Sequence, residues 1–518
     1  MINFFKLLRF TVLIPLFVIN NVHAANIVVG NGTPGSCSDA ALTSALAGGG
    51  NITFKCGSLP KTILLGSEKI IAANTLIDGG NLVTISGGGV KRIFKVNPYV
   101  RFTVNNLTLT NGYTADEGAA IHAASWPDSV VAINHCSFIN NVSSVLGERG
   151  GGAIISSGGY LTVDKSTFSG NKASTGGGIR VVQSDLTVTS SVFSNNKAVD
   201  SLLGNGGAIH IDGAKTDNGK VLIHASTFTG NSASKYGGAV FNNILNNNTT
   251  VISNSLFSAN TVGNAGSQGQ GGAIWSTGDP KKGGQWVINT NNTTLTVTNT
   301  TIANNTASSQ GGGLWVARHI KGTLFGNNSV YGNKTLGSMG GGILQADGGK
   351  LLLSNSTISD NTVNGASSMG GGIYVSRNAT AAITNATIAN NSASWQAGGV
   401  FGMANVTLKN TILANNIALN GGNTWNIKHN CFQPMTNGGN NLQFPKPIDA
   451  TCTPAILVAD PKLDVLKNNG SLTATRALLT GSTASRNGSG CPATDQRGAV
   501  RPSPVGTLCD IGAFEAGL

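Results

Sequence analysis

From about residue 118 to residue 416 the chain alternates two short apolar patterns. One is a run of small residues leading into an apolar position, as in the GGAI that ends at Ile154. It recurs at Ile121, Ile154, Ile179, Ile209, Val240, Ile274, Leu314, Ile343, Ile373 and Val400, a mean period of about 31 residues. The other is an alternating apolar and polar stretch such as LTVDKSTF, whose last apolar residue is followed three positions later by Asn. These anchors are Phe138, Phe168, Phe193, Phe228, Phe257, Ile302, Val330, Ile358, Ile388 and Leu413, and their asparagines are Asn141, Asn171, Asn196, Asn231, Asn260, Asn305, Asn333, Asn361, Asn391 and Asn416. Alternation over about four to seven residues predicts strands, and the Gly, Asn and Ser clusters between them predict turns.

One such unit cannot bury its own apolar face. Stacking each coil on the last buries a continuous core and pairs every strand with its equivalents above and below. Short turns of varying length point to an all-β fold, a right-handed parallel β-helix. At about 4.8 Å per coil it makes a rod of roughly 60 Å. The recurring Asn suits tight left-handed turns and side-chain hydrogen bonding along the rod axis. A second file, Asn254, Asn299, Asn327, Asn355, Asn385 and Asn410, lies three residues before the anchors. The five Phe anchors predict an internal aromatic stack. Shorter strand signals over 25–115 give an N-terminal cap and first coils, 116–420 the repeat helix, and 421–518 a C-terminal cap over the edge that an open coil would expose.

Composition sharpens this picture. Gly contributes 72 of 518 residues, only 10% are charged, and there are four Glu (Glu68, Glu117, Glu148, Glu515), which disfavours a helix-rich protein. Lys6 and Arg9, the apolar stretch Phe10 to Ile19 and the small-residue ending at Ala24 read as a secretory signal over 1–24. No later segment is long and apolar enough for a spanning helix, so the expected location is secreted or cell-surface. Among seven cysteines the local pairs Cys37 with Cys56, Cys431 with Cys452 and Cys491 with Cys509 each close a loop worth roughly 3 kcal/mol, leaving Cys136 as a buried thiol. The net charge of +12 reflects a shortage of carboxylates and favours acidic partners only weakly. No Lys/Arg patch with interleaved aromatics supports nucleic-acid binding, and no acidic or Cys/His cluster calls for a metal or other cofactor.

The alternation of GGAI turns with FxxN anchors, as in Gly151 to Ile154 followed by Phe168 to Asn171, resembles the repeats of polymorphic outer-membrane proteins and related pectin-lyase-like β-helix proteins of bacteria. Residues Thr494 to Gly498 (TDQRG), Arg501-Pro502 and Cys509 to Glu515 (CDIGAFE) are similar to the choice-of-anchor Q module of secreted bacterial β-helix proteins, although Ser485, Arg486 and Asn487 depart from the acidic stretch usual before it. The resemblance implies an exported surface or extracellular protein and does not imply a reaction.

Candidate chemistry falls into two groups. A lyase or glycosidase needs a base or paired carboxylates facing one sugar; the nearest carboxylate pairs are Asp116-Glu117 and Asp212 with Asp217, both expected in turns, and the available bases are Arg318 and Arg377. Four residues past the strand-opening apolar position, Arg318, Asp347 and Arg377 occupy equivalent places in three successive repeats, an ion ladder or an anion site. One residue past the same position stand His122, Ile155, Arg180, His210, Phe241, Trp275, Trp315, Leu344, Tyr374 and Phe401. Five of the last six are aromatic and should face outward. An open stripe of Phe241, Trp275, Trp315, Tyr374 and Phe401 suits a glycan or a protein surface. The reading that follows is an adhesin-like binding protein without catalysis, with a polysaccharide lyase or hydrolase and a passive structural rod as alternatives.

Overall fold

A computed structural model describes residues 25–124, 128–215, 218–245, 247–264, 268–278, 281–282, 285–286, 293–317, 320–446 and 451–517, of residues 279–292 in backbone only. The signal segment 1–24 lies outside the described residues, as do Asp217 and Arg318. The chain winds into a right-handed parallel β-solenoid of about 14 turns. Each repeat coil contributes to three parallel sheets. The strands that open on the GGAI position, from Lys69–Ile71 to Val400–Phe401, form one 12-stranded sheet. The long alternating strands and the anchor strands form the largest sheet, and the two-residue strands after the anchor asparagines form the third.

Register is kept from coil to coil: Ile154 pairs with Ile179, Ile179 with Ile209, and Phe138 with Phe168. The anchors are therefore stacked inside the rod. Phe138, Phe168, Phe193, Phe228 and Phe257 lie with ring centroids 4.5–4.8 Å apart and planes within 7° of parallel. Ile302, Val330, Ile358, Ile388 and Leu413 continue the column, fully buried.

Beside it runs an unbroken ladder of buried amides. Asn196 Nδ2 donates to Asn231 Oδ1 (3.0 Å) and to the Phe168 carbonyl of the preceding coil, and Asn231 repeats both bonds with Asn260 and Phe193. Each Oδ1 also accepts a backbone N–H from the coil before. The ladder runs from Asn141 to Asn416 and ends on Asn430. The left-handed backbone that we expected at these asparagines sits elsewhere. It falls one residue earlier, at Asn195 (φ 56°) and Asn304 (φ 58°), and at the second file, Asn254 to Asn410. The ladder residue spends its side chain on the neighbouring coil, and the turn falls to the residue before it. Gly271 (φ 70°) makes the corresponding corner before a GGAI strand. At Gly272 an added Cβ would collide with the Gly312 carbonyl of the next coil.

The N-terminal end is closed by one short α-helix, Asp39–Leu46, which the strand-dominated pattern does not announce. The Ser38 side chain caps it by accepting from the Ala41 N–H, and it buries Leu42, Ala45 and Leu46 against the first coil. Lys69, itself buried, pairs with Asp39 at 2.6 Å. Three disulfides join Cys37 to Cys56, Cys431 to Cys452 and Cys491 to Cys509. Cys136 is free, and burial pushes its thiol up to about 11.

The C-terminal segment does more than cover the last coil. After Leu457–Val458 pairs beneath Leu442–Phe444, residues 460–517 fold back along the flank of the rod as a strap. Leu478, Ala484, Ile511 and Phe514 pack on Ala389, Ile412 and Ala414. Arg476 grips Asp360 with two bonds of 2.9 and 3.0 Å and donates to Ser359 Oγ. The TDQRG and CDIGAFE residues knit the strap itself. The Asp495 carboxylate accepts from Arg497 Nε and the Glu515 N–H, Arg501 donates to the Asp510 and Gly512 carbonyls, and Gln496 accepts from Thr357 Oγ1 on the rod.

Removing one rung of the amide ladder strands donors and acceptors in the coils on both sides. Asn231→Ala is expected to lower the unfolding free energy by about 2–4 kcal/mol, measured by urea denaturation. Asn195→Gly, at an exposed left-handed position, should stay within about 0.5 kcal/mol of the parent.

Candidate functional site

The file that follows the GGAI position runs in register along one face of its sheet: Ile70, Lys95, His122, Ile155, Arg180, His210, Phe241, Trp275, Trp315, Leu344, Tyr374, Phe401. Parallel pairing makes this alignment unavoidable, because a residue one place past an inward apolar position is repeated outward in every coil. The file divides into a charged half and an aromatic half.

In the charged half, turns bring acids to the arginines. Arg180 Nη1 donates to Glu117 Oε1 at 2.7 Å across 63 residues of sequence, and its Nη2 lies 4.0 Å from Asp212. Arg92, buried, donates to Asp116 Oδ2 (3.0 Å) and reaches Glu68. Arg149 also pairs with Asp116 and Glu117. Burial works to raise the Asp116 carboxyl, but the Glu117 backbone N–H and Arg92 outweigh it and hold the group below the usual range. His122 is held below its ordinary value by burial and by Arg92, against the pull of Asp116 and Glu117. His210 is pushed well down by burial, with Arg180 adding to the effect, and its ring lies 4.5 Å from that of Phe241. Among the described residues no group of three or more His, Cys, Asp or Glu side chains could hold a metal ion.

In the aromatic half the rings stack along the rod. Phe241 and Trp275 lie 4.8 Å apart and Trp275 and Trp315 5.1 Å, each pair 5° from parallel. Beyond Leu344, Tyr374 stacks on Phe401 and Phe401 on Phe432. A second file flanks this one: Tyr236, Gln270, Gln310, Met339, Met369 and Gln396 bridge in register. Trp275 Nε1 donates to Gln270 Oε1 and Trp315 Nε1 to Gln310 Oε1, both at 3.2 Å.

The five aromatic residues thus share one file, but with their faces turned on one another. Phe241 and Trp275 are 6% exposed and Phe401 5%, while Trp315 and Tyr374 are half-buried. Stacked planes at the coil spacing leave ring edges, not ring faces, for the outside, whereas the sequence reading treats the stripe as an open platform. Asp347 and Arg377 are exposed, with no ion pair between them; both act on the Tyr374 hydroxyl, which burial raises. Asp212 accepts from Asn243 Nδ2 at 3.1 Å. The ion-paired cluster of Arg92, Asp116, Glu117, Arg149 and Arg180 escapes a reading by sequence spacing, since its partners come from turns 24 to 63 residues apart. The only trace is the adjacent pair Asp116-Glu117 in a chain poor in acids.

His122 and His210 bind protons less readily folded than unfolded. Their stability contribution is intact above the unfolded value of about 6.5 and is lost as pH falls below it toward the lowered folded values. The urea midpoint is expected to be lower at pH 5 than at pH 8. His210→Phe, which extends the ring stack, should reduce that drop.

A family profile for the Chlamydia polymorphic membrane protein repeat matches residues 190–212 and 225–243, which span the Ile209 and Val240 strands and the Phe193 and Phe228 anchors. No curated protein matches the chain. Among solved structures it is similar to the periplasmic alginate epimerase AlgG, with 12% identity over 73% of this chain and 77% of that one and a TM-score of 0.37. It is also similar to PfbA, a surface adhesin of Streptococcus pneumoniae, with 13% identity over 80% of this chain and 91% of that one and a TM-score of 0.31. The chain is a parallel β-helix protein whose repeats are similar to those of the chlamydial polymorphic membrane proteins.

Proposed function

We propose that this chain is an exported, adhesin-like protein of the cell surface or extracellular space that binds without catalysis, through the outer face of its GGAI sheet. The observation that carries this reading is the in-register array of ring edges and glutamine amides from Tyr236 to Phe432, supported on a sheet whose glycine corners let the coils approach closely. Such an array offers apolar ring edges at a regular spacing, with the Gln270 and Gln310 amides fixed beside Trp275 and Trp315, which suits a glycan chain or another protein surface. The acidic groups on the same face support binding over acid–base chemistry. Asp116 and Glu117 are held by guanidinium groups and Asp212 by Asn243 and Arg180. No helix among the described residues is long and apolar enough to cross a membrane.

Leucine already stands at position 344 of the file, so Trp315→Leu with Tyr374→Leu should fold. The test is native affinity electrophoresis of the mature protein in gels containing acidic or neutral polysaccharides, together with adherence of protein-coated beads to cells. The double variant is expected to lose roughly tenfold in retardation or adherence. Clearing of polysaccharide in the gel would establish an enzyme instead, and undiminished binding by the variant would move the contact off this face.

A further inference from the structure

The two-residue strands of the third sheet carry a pattern of their own. Their second residue is small and buried, as at Ala173, Ala198 and Ala307, and their first faces outward. Register places Lys172, Lys197, Lys334 and Ile417 in one outward file, with Ser and Thr between them. The alignment continues two residues on. The N–H groups of Val199, Leu336 and Leu419 donate to the Ala173, Ala307 and Ala393 carbonyls of the coil before. These three side chains are exposed and share a second file, in which the other residues from Ser234 to Ser394 are Ser, Gly or Asn.

Beside the ends of that file, turns hold larger apolar side chains clear of the sheet. Leu202 is 72% exposed on a turn fixed by Asp200, whose Oδ1 accepts from the Leu202 and Leu203 N–H groups (2.9 Å each). Asp200 Oδ2 accepts from the Gly147 N–H (3.0 Å), which ties in the turn that exposes Leu146. At the other end Trp425 is 67% exposed, with Asn420 Nδ2 donating to its carbonyl and Gln396 Nε2 to Asn426 O (3.0 Å). From Val199 to Leu419 is seven coil steps, about 34 Å.

Charge on this edge is of one sign. The strands of the third sheet from Lys172 onward, with the turns that follow them, hold five lysines and a single acid, Asp200, which is taken up by backbone N–H groups. Lys172, Lys197 and Lys334 are exposed, and none of them pairs with a carboxylate among the described residues.

We propose that this edge docks the rod lengthwise on an anionic lipid bilayer, with Leu202, Leu336, Leu419 and Trp425 entering the headgroup region and the three lysines meeting lipid phosphates. The relief of the edge argues for a bilayer over a protein partner. Its apolar tips stand apart at three places on one line and are separated by small polar residues, so they form no continuous apolar centre of the kind a protein interface buries. A plane meets a rod along a line and reaches all three places at once. The ring-edge array takes no part in this contact.

The test is flotation of the full mature protein with vesicles of equal parts phosphatidylglycerol and phosphatidylcholine, compared with phosphatidylcholine alone. Binding to the anionic vesicles is expected to be roughly tenfold stronger and to weaken with added salt. Leu202→Ser/Leu419→Ser/Trp425→Ser, its folding confirmed by an unchanged urea midpoint, should lose roughly tenfold or more. Lys172→Gln/Lys197→Gln/Lys334→Gln should remove most of the preference for anionic lipid. Trp315→Leu with Tyr374→Leu, which disables the ring-edge array, should float as the parent does, so this proposal and the function proposed above fail separately. No binding to anionic vesicles, undiminished binding by the apolar triple variant, or equal binding to both vesicle types would overturn the proposal. So would a soluble protein ligand lost in the triple variant while no vesicle is bound, since it would assign the edge to a protein.

Discussion

Coil-on-coil register is the constraint on which everything else in this rod depends. Because each residue sits directly above its equivalent, a side chain buried at one position must be compatible with a copy of itself about 4.8 Å away. Asn satisfies this condition unusually well, since its amide has a donor on one side and an acceptor on the other and can bond to the next Asn without a second residue type. The ladder from Asn141 to Asn430 is that solution repeated, and each rung also ties down a backbone carbonyl and a backbone N–H that the turn would otherwise leave unpaired. The Phe column is the apolar version of the same rule, flat rings at coil spacing.

The rule explains which features were legible in the sequence. The anchors, the amide ladder, the internal Phe stack and the three disulfides follow from periodicity or from short loops, and they appear where the periodicity places them. The helix Asp39–Leu46 lies outside the repeat and is signalled only by an Ala/Leu-rich octet after a Ser cap. The strap is harder still. Arg476 and Asp360 are 116 residues apart, and no spacing rule joins them. The outer file of the anchor strands reads Ala303, Tyr331, Ser359, Ala389 and Ala414 where the strap lies, no smaller than Ser169, Ser194 and Ser258 in the open coils, so it does not announce the covering segment.

The aromatic stripe shows where period-two reasoning stops. Alternation correctly assigns Trp275 and Trp315 to the outer side of the sheet, but exposure depends also on what the equivalent residue does one coil away. A lone outward Trp offers a face to solvent; an in-register run of them covers its own faces. The stacked pairs contribute about 0.5–1.5 kcal/mol each beyond the area they bury, so self-association within the file outcompetes exposure of the rings.

Like charges obey the opposite arithmetic, and this accounts for the division of the face. Two cations at coil spacing repel, so a basic file cannot be extended by simple repetition as an aromatic one can. In the charged half Ile155 separates His122 from Arg180, the rings of His122 and His210 are held toward their neutral forms, and carboxylates from the 116–117 turn are inserted against Arg92, Arg149 and Arg180. Each of those acids must arrive from outside the file, which ties the turns of this half to the sheet. The aromatic half needs no charged partner, because its rings stack on their own repeats and the indole N–H groups of Trp275 and Trp315 are taken by the nearby Gln270 and Gln310. Its turns are therefore free to vary in length, and the longest excursions between successive GGAI strands, after Val240 and after Ile274, occur there.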